Sequence, residues 1–126
     1  MTTNLPTTFE EFWPLYVYEH RNRTNRALHY VGTSLAIGCV ATAAVTLNPA
    51  WLVAAPVVGY GAAWVGHFLV EKNRPATFKH PLWSFRGDFR MLQYALQGKM
   101  HLEVERIVGI GDESNADRSS QTALAN

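Results

Sequence analysis

LHYVGTSLAIGCVATAAVTL (residues 28–47) and WLVAAPVVGYGAAWVGHFLV (residues 51–70), joined through Asn48 and Pro49, decide how this chain folds. No Asp, Glu, Lys or Arg falls between Arg26 and Glu71. Each stretch holds about 20 residues, so as a helix it would run about 30 Å, the thickness of a bilayer's hydrocarbon core. The sequence therefore predicts an all-α chain built on a membrane hairpin of two spanning helices, with flanking amphipathic or interfacial helices. The competing reading is a buried hairpin in a soluble protein. It is disfavoured because a domain of 126 residues rarely buries two uncharged segments of this length.

Charge around the hairpin gives an orientation. Arg21, Arg23 and Arg26 precede it, Lys72, Arg74 and Lys79 follow it, and its turn carries none. By the positive-inside rule both termini are expected on the cytoplasmic side, at the inner membrane if the source is bacterial. The first 20 residues have no apolar core and already include Glu10, Glu11 and Glu19, so a signal peptide is not expected. A net charge of +1 gives no reason for a nucleic-acid partner. The mean hydropathy of -0.08 averages an apolar middle with polar ends. Cys39 is the single cysteine, so neither a disulfide framework nor a cysteine metal site is available. Gly59 with Ala63, and Ala62 with Gly66, stand four apart and suit close helix approach. A homo-oligomer is left open. No glycine-rich phosphate loop, GxSxG elbow or Cys-His pair is present.

Outside the hairpin the elements are shorter. Thr8 followed by Glu11 is a capping-box pattern, after which Phe9, Phe12, Trp13, Tyr16 and His20 share a helical face within about 100° of arc. Pro14 is expected to kink or restart that helix. The helix would lie in the membrane interface or pack its aromatics on the rest of the protein. Asn22 to Asn25 reads as a break, with Thr24 or Asn25 capping the first spanning helix. In EKNRPATFKHPLWSFRGD (residues 71–88), Pro75, Pro81 and Gly87 argue against a long helix, and Asp88 is expected to cap the next one. Gly98 interrupts that helix, and Met100, Val104, Ile107 and Val108 resume a helical pattern. Residues 1–111 are read as a single helical membrane domain. Residues 112–126 belong to a small, polar, aperiodic stretch beginning at Gly109 and are expected to form a disordered tail.

The histidines suggest a site. His29 opens the first spanning segment and His67 closes the second, which places both at one depth in an antiparallel pair. His67 and Glu71 are four apart and share a helix face. His20 and His80 flank the hairpin on the same side, so four imidazoles and a carboxylate can converge. Neutral imidazole and carboxylate suit iron(II), manganese or zinc, and intramembrane ionisable groups are functional by default. The ligand types permit iron without selecting it. His101 is read as surface. The alternative is a non-catalytic integral membrane protein whose histidines are structural.

The stretches FWPLYVYEHRNRTNRALHYVGT and GHFLVEKNRPATFKHPLWSFRGDFRM resemble a family long catalogued as a domain of unknown function. Its fungal members are endoplasmic-reticulum 2-hydroxy fatty acid dioxygenases, iron(II) enzymes of phytosphingosine breakdown. The resemblance runs from about Phe9 to Gly98, and its most specific parts are EH and LHYVGT paired with GHFLVEKNRPA. It implies oxygen-consuming shortening of a 2-hydroxy fatty acid by one carbon at the membrane, an oxidoreductase activity of the fatty acid alpha-oxidation type. It also implies catalytic roles for His20, His29 and His67, with Glu71 in the same motif and His80 in a pattern of the shorter relatives. The fungal enzymes are longer, with further hydrophobic segments, so another hydroxylated lipid stays open as substrate.

Overall fold

In the computed structural model, which describes residues 5–75 and 79–125 without the side chains of residues 110–119 and 122, Thr8 caps the first helix. The Glu11 carboxylate reaches back to the Thr7 N–H and not to that of Thr8, so only half of the expected capping box forms. The Thr8 hydroxyl accepts the Glu11 N–H, and α1 runs Phe9–Glu19. Pro14 does not restart the helix, which runs through it without a break. It removes one N–H donor, whereas the aromatic face around it is wholly buried, and that burial outweighs one lost bond. Asn22, rather than Thr24 or Asn25, caps the next helix by accepting their two N–H groups at 2.8 and 3.4 Å. From there α2 spans Arg23–Thr46.

Leu47, left-handed at φ 54°, turns the chain, and α3 returns as Ala50–Trp64 before widening into a π-helical segment, Val65–Glu71. Small residues let the two arms touch. A Cβ on Gly32 would lie 2.8 Å from Ala62 Cβ and 3.1 Å from the Gly59 carbonyl oxygen, and one on Gly66 would collide with the Asn25 side chain. The arms of 24 and 22 residues would measure about 36 and 33 Å as α-helix, so both are long and apolar enough to cross a membrane. Their outer surface is apolar and open. Val53 is 69% and Val45 85% exposed, whereas the core hairpin of a soluble protein would bury such residues.

At one end of the hairpin α1 packs against α4 (Pro81–Leu96) and α5 (Met100–Leu124). Phe9, Phe12, Trp13, Tyr16 and Val17 of α1 form a core with Met91, Met100 and Ile107, so the aromatics pack on the protein itself. Gly98, at φ 70°, makes the turn between α4 and α5.

The segment after residue 79 departs from expectation. Pro81 begins α4 at a position where its missing N–H is harmless. Gly87 sits inside α4 because the Tyr16 ring lies on it, leaving only 2.9 Å for a Cβ. Asp88 is therefore a mid-helix residue and not a cap. The helix that begins at Met100 also continues through Leu124 where a disordered tail was expected. No proline interrupts residues 109–124, and the two glycines, Gly109 and Gly111, cost a helix only about 1 kcal/mol each. Asn126 lies outside the described residues. Among the described residues there is no strand, and the chain is all-α.

Candidate metal centre

Three elements bring one histidine each to a common point. His20 is the C-cap of α1, His29 lies in the second turn of α2, and His67 sits in the π-helical end of the second arm. The bend at Arg21 and Asn22 makes the first pairing possible. Arg26 holds that bend, donating from Nη1 to the carbonyls of His20 at 3.0 Å and Arg21 at 2.7 Å. The ring centroids are 4.4, 4.5 and 4.8 Å apart and the rings stand nearly perpendicular to one another. All three side chains are buried, none more than 3% exposed.

The outward nitrogens of the three rings are all engaged by oxygen. His20 Nδ1 meets the Tyr16 carbonyl at 2.6 Å, His29 Nδ1 the Asn25 carbonyl at 2.9 Å, and His67 Nδ1 the Asn73 Oδ1 at 2.7 Å. Asn73 spends its amide N–H on the Glu19 carbonyl at 2.9 Å, which fixes its oxygen toward His67. A carbonyl oxygen can only accept, so each ring carries its proton on Nδ1 and presents an Nε2 lone pair inward. This is the arrangement by which metal-bound histidines are oriented.

The inner nitrogens test whether a metal fits. His20 Nε2 and His29 Nε2 lie 3.1 Å apart. Two nitrogens each about 2.1 Å from one ion are separated by about 3.0 Å at a 90° ligand angle and about 3.4 Å at a tetrahedral one. The spacing falls in that range. Two lone pairs at this distance repel unless a cation or proton lies between them. Burial, followed by the neighbouring His29 and His67, holds the His20 imidazole well below its ordinary pKa, which disfavours a proton there. One nitrogen from each of the three rings lies within 4.8 Å of the other two, and among the described residues this is the only group of three or more such side chains that could hold a metal ion.

Two expected ligands stand elsewhere. Glu71 accepts a hydrogen bond from the Asn22 backbone N–H, placing its carboxylate at the positive end of α2 and tying the second arm to the bend. His80 is packed between aromatic rings, 5.4 Å from Phe12 and 5.0 Å from Trp83. His101 is exposed. The sequence pattern passed over Asn73, although it lies two residues past Glu71 in the same motif, whereas Tyr16, expected on the same helical face as His20, stacks its ring on that histidine at 4.0 Å. The Tyr16 hydroxyl donates to Asp88. Burial pushes the Asp88 carboxyl up to about 6, against the opposing pull of the Tyr16 bond.

Two spaces adjoin the imidazoles. A small pocket of about 10 Å³ is bounded by His20, His29 and His67 together with Tyr16, Ser84 and Asp88, and has room for about one ion or water. A larger apolar groove of about 750 Å³ starts at His29 and Asp88 and runs between the two arms and α4, past Ala36, Val40 and Phe89, to Leu52. Ligand cavities for small molecules have this order of volume.

A family model described as 2-hydroxy-palmitic acid dioxygenase Mpo1-like matches residues 6–100. The chain belongs to the Mpo1-like family. The matched span runs from the start of α1 to the start of α5, so it contains the three histidines with Asn73, Ser84 and Asp88. No curated protein and no solved structure matches the chain.

Proposed function

We propose that this Mpo1-like chain is an iron(II)-dependent dioxygenase that shortens 2-hydroxy fatty acids by one carbon at a membrane surface. The observation that carries the reading is the set of three buried imidazoles, each with its Nδ1 proton tied to oxygen and its Nε2 turned inward, at the mouth of an apolar groove. The family's description supplies the substrate class and the use of oxygen.

His20, His29 and His67 would hold the metal through Nε2 and leave positions for other ligands. Iron(II) bound there would supply oxygen activation and Lewis acidity. The protein's own part is positioning. The groove takes the acyl chain, and burial of its methylenes against Ala36, Val40 and Phe89 brings the polar head to the imidazoles. The same apolar walls keep bulk water from the reacting carbon. One dioxygen accounts for every electron released when a 2-hydroxy acid becomes the acid one carbon shorter, carbon dioxide and water. The hairpin would span the bilayer with both termini on the cytoplasmic side, and the substrate would reach the groove from the lipid. Glu71 acts in this account as a latch on the α1–α2 bend, and His80 as part of the aromatic packing.

The test is oxygen consumption by protein purified in mild detergent, loaded anaerobically with iron(II) and given 2-hydroxypalmitate. The expected product is one carbon shorter. His67→Ala should abolish it while circular dichroism shows the helices retained. Iron-loaded protein that consumes no oxygen with 2-hydroxy acids over a range of chain lengths would end the assignment.

A further inference from the structure

Ser84 and Asp88 stand one turn apart on α4 and both border the small pocket that the three imidazoles enclose, and Asp88 also lines the mouth of the apolar groove. Ser84 is 3% exposed and its hydroxyl has no hydrogen-bond partner. Such a group is costly to bury unless something else satisfies it. Asp88 accepts the Tyr16 hydroxyl, but a carboxylate has about four lone-pair sites, so acceptor capacity remains at the junction of the two spaces. Gly87 lets Tyr16 lie flat on α4, which fixes the height of this wall over the histidines.

We propose that Ser84 and Asp88 recognise the polar head of the 2-hydroxy acid, Asp88 by accepting a hydrogen bond from the 2-hydroxyl and Ser84 by donating one to the carboxylate. The inference rests on the function proposed above. Charge settles which group meets which. The Asp88 carboxylate repels the carboxylate of the lipid and accepts only from its hydroxyl, whereas the Ser84 hydroxyl can donate. With the head so placed, the chain leads directly into the groove that Asp88 borders. The wall therefore distinguishes a hydroxylated fatty acid from a plain one by the protein alone, since a site built to bond a hydroxyl leaves a buried polar group unpaired when the hydroxyl is missing.

Binding in the absence of metal tests this apart from catalysis. Full-length protein in detergent, stripped by chelator, is titrated with 2-hydroxypalmitate and with palmitate, following tryptophan fluorescence. Wild type should bind the hydroxy acid more tightly by about tenfold to a hundredfold, the range of one hydrogen bond to a charged group. Asp88→Ala should erase that preference, and Asp88→Asn should keep part of it because its amide oxygen still accepts. Ser84→Ala should weaken both acids alike. A metal-free wild type that binds the two equally, or an Asp88→Ala protein that keeps the full preference, would overturn the inference. Iron-loaded wild type that turns over 2-hydroxy acids alongside such results would leave the proposed function standing, so the two failures are separable.

Discussion

Asn73→Ala is the most informative single change, because Asn73 offers no ligand atom to the candidate centre and acts on it by holding His67 and the Glu19 carbonyl beside His20. The substitution removes the 2.7 Å acceptor from His67 Nδ1 and the 2.9 Å donor to the Glu19 carbonyl. Two neutral hydrogen bonds at about 1 kcal/mol each amount to about 2 kcal/mol. His67 is then free to move its proton to Nε2 or to turn its ring, and either change removes a lone pair from the centre. The expected loss in metal affinity is about 10-fold to 100-fold, the usual effect of losing the partner of a metal-bound histidine and the equivalent of about 1.4–2.7 kcal/mol. Competition against a metallochromic chelator in detergent reads this directly, with zinc(II) in air and iron(II) without oxygen. Asn73→Asp should retain more affinity than Asn73→Ala, since its carboxylate still accepts the Nδ1 proton. A folded Asn73→Ala protein that binds metal within about twofold of wild type would refute the orientation argument.

Gly32→Ala should lower the thermal unfolding midpoint relative to Gly38→Ala, because its Cβ meets Ala62 at 2.8 Å whereas nothing lies within 4 Å of Gly38. The expected gap is about 1–3 kcal/mol of overpacking, and equal midpoints would contradict the close contact of the arms. Asp88 offers a pH test. Its folded pKa of about 6 lies above the ordinary 3.8, so the folded state holds a proton that the unfolded chain has released. Stability from this group is full below pH about 4 and is lost as pH rises through about 6, at most about 3 kcal/mol by linkage. Asp88→Asn should remove that decline, so unfolding midpoints taken at pH 4.5 and 7.5 should differ less in the variant, and an undiminished difference would count against a buried Asp88. Reporter fusions at residue 126 and within the Asn48 turn should show the terminus cytoplasmic and the turn on the opposite side. A cytoplasmic turn would defeat the hairpin topology.

The hairpin was legible because absence of charge over two lengths of about 20 residues is a strong, one-dimensional signal. Thr8 and Gly98 were legible for a similar reason, since capping and left-handed turns are local chemistry. His20, His29 and His67 could be picked out by their places at the ends of helices that must meet. His80 and Glu71 could not be separated from them, because sequence places a residue at an end of the bundle without saying which partner takes its side chain. In the structure aromatic rings take His80 and the Asn22 N–H takes Glu71. The supporting acceptors, the carbonyls of Tyr16 and Asn25 and the Asn73 amide, leave no pattern in sequence, since any residue has a carbonyl. Asp88 was misplaced because Asp before an apolar run signals a cap, and the helix had already begun at Pro81 under a proline reading that weighed only its power to break helices.

The central claim is that His20, His29 and His67 hold one metal ion through Nε2, and metal content tests it most directly. Protein reconstituted anaerobically with iron(II), desalted in detergent and measured by elemental analysis should carry about one iron per chain, and each of His20→Ala, His29→Ala and His67→Ala should fall below about a tenth of that while His80→Ala stays at the wild-type value. Wild type that retains no iron or other transition metal, or single-histidine variants that retain as much as wild type, would contradict the account.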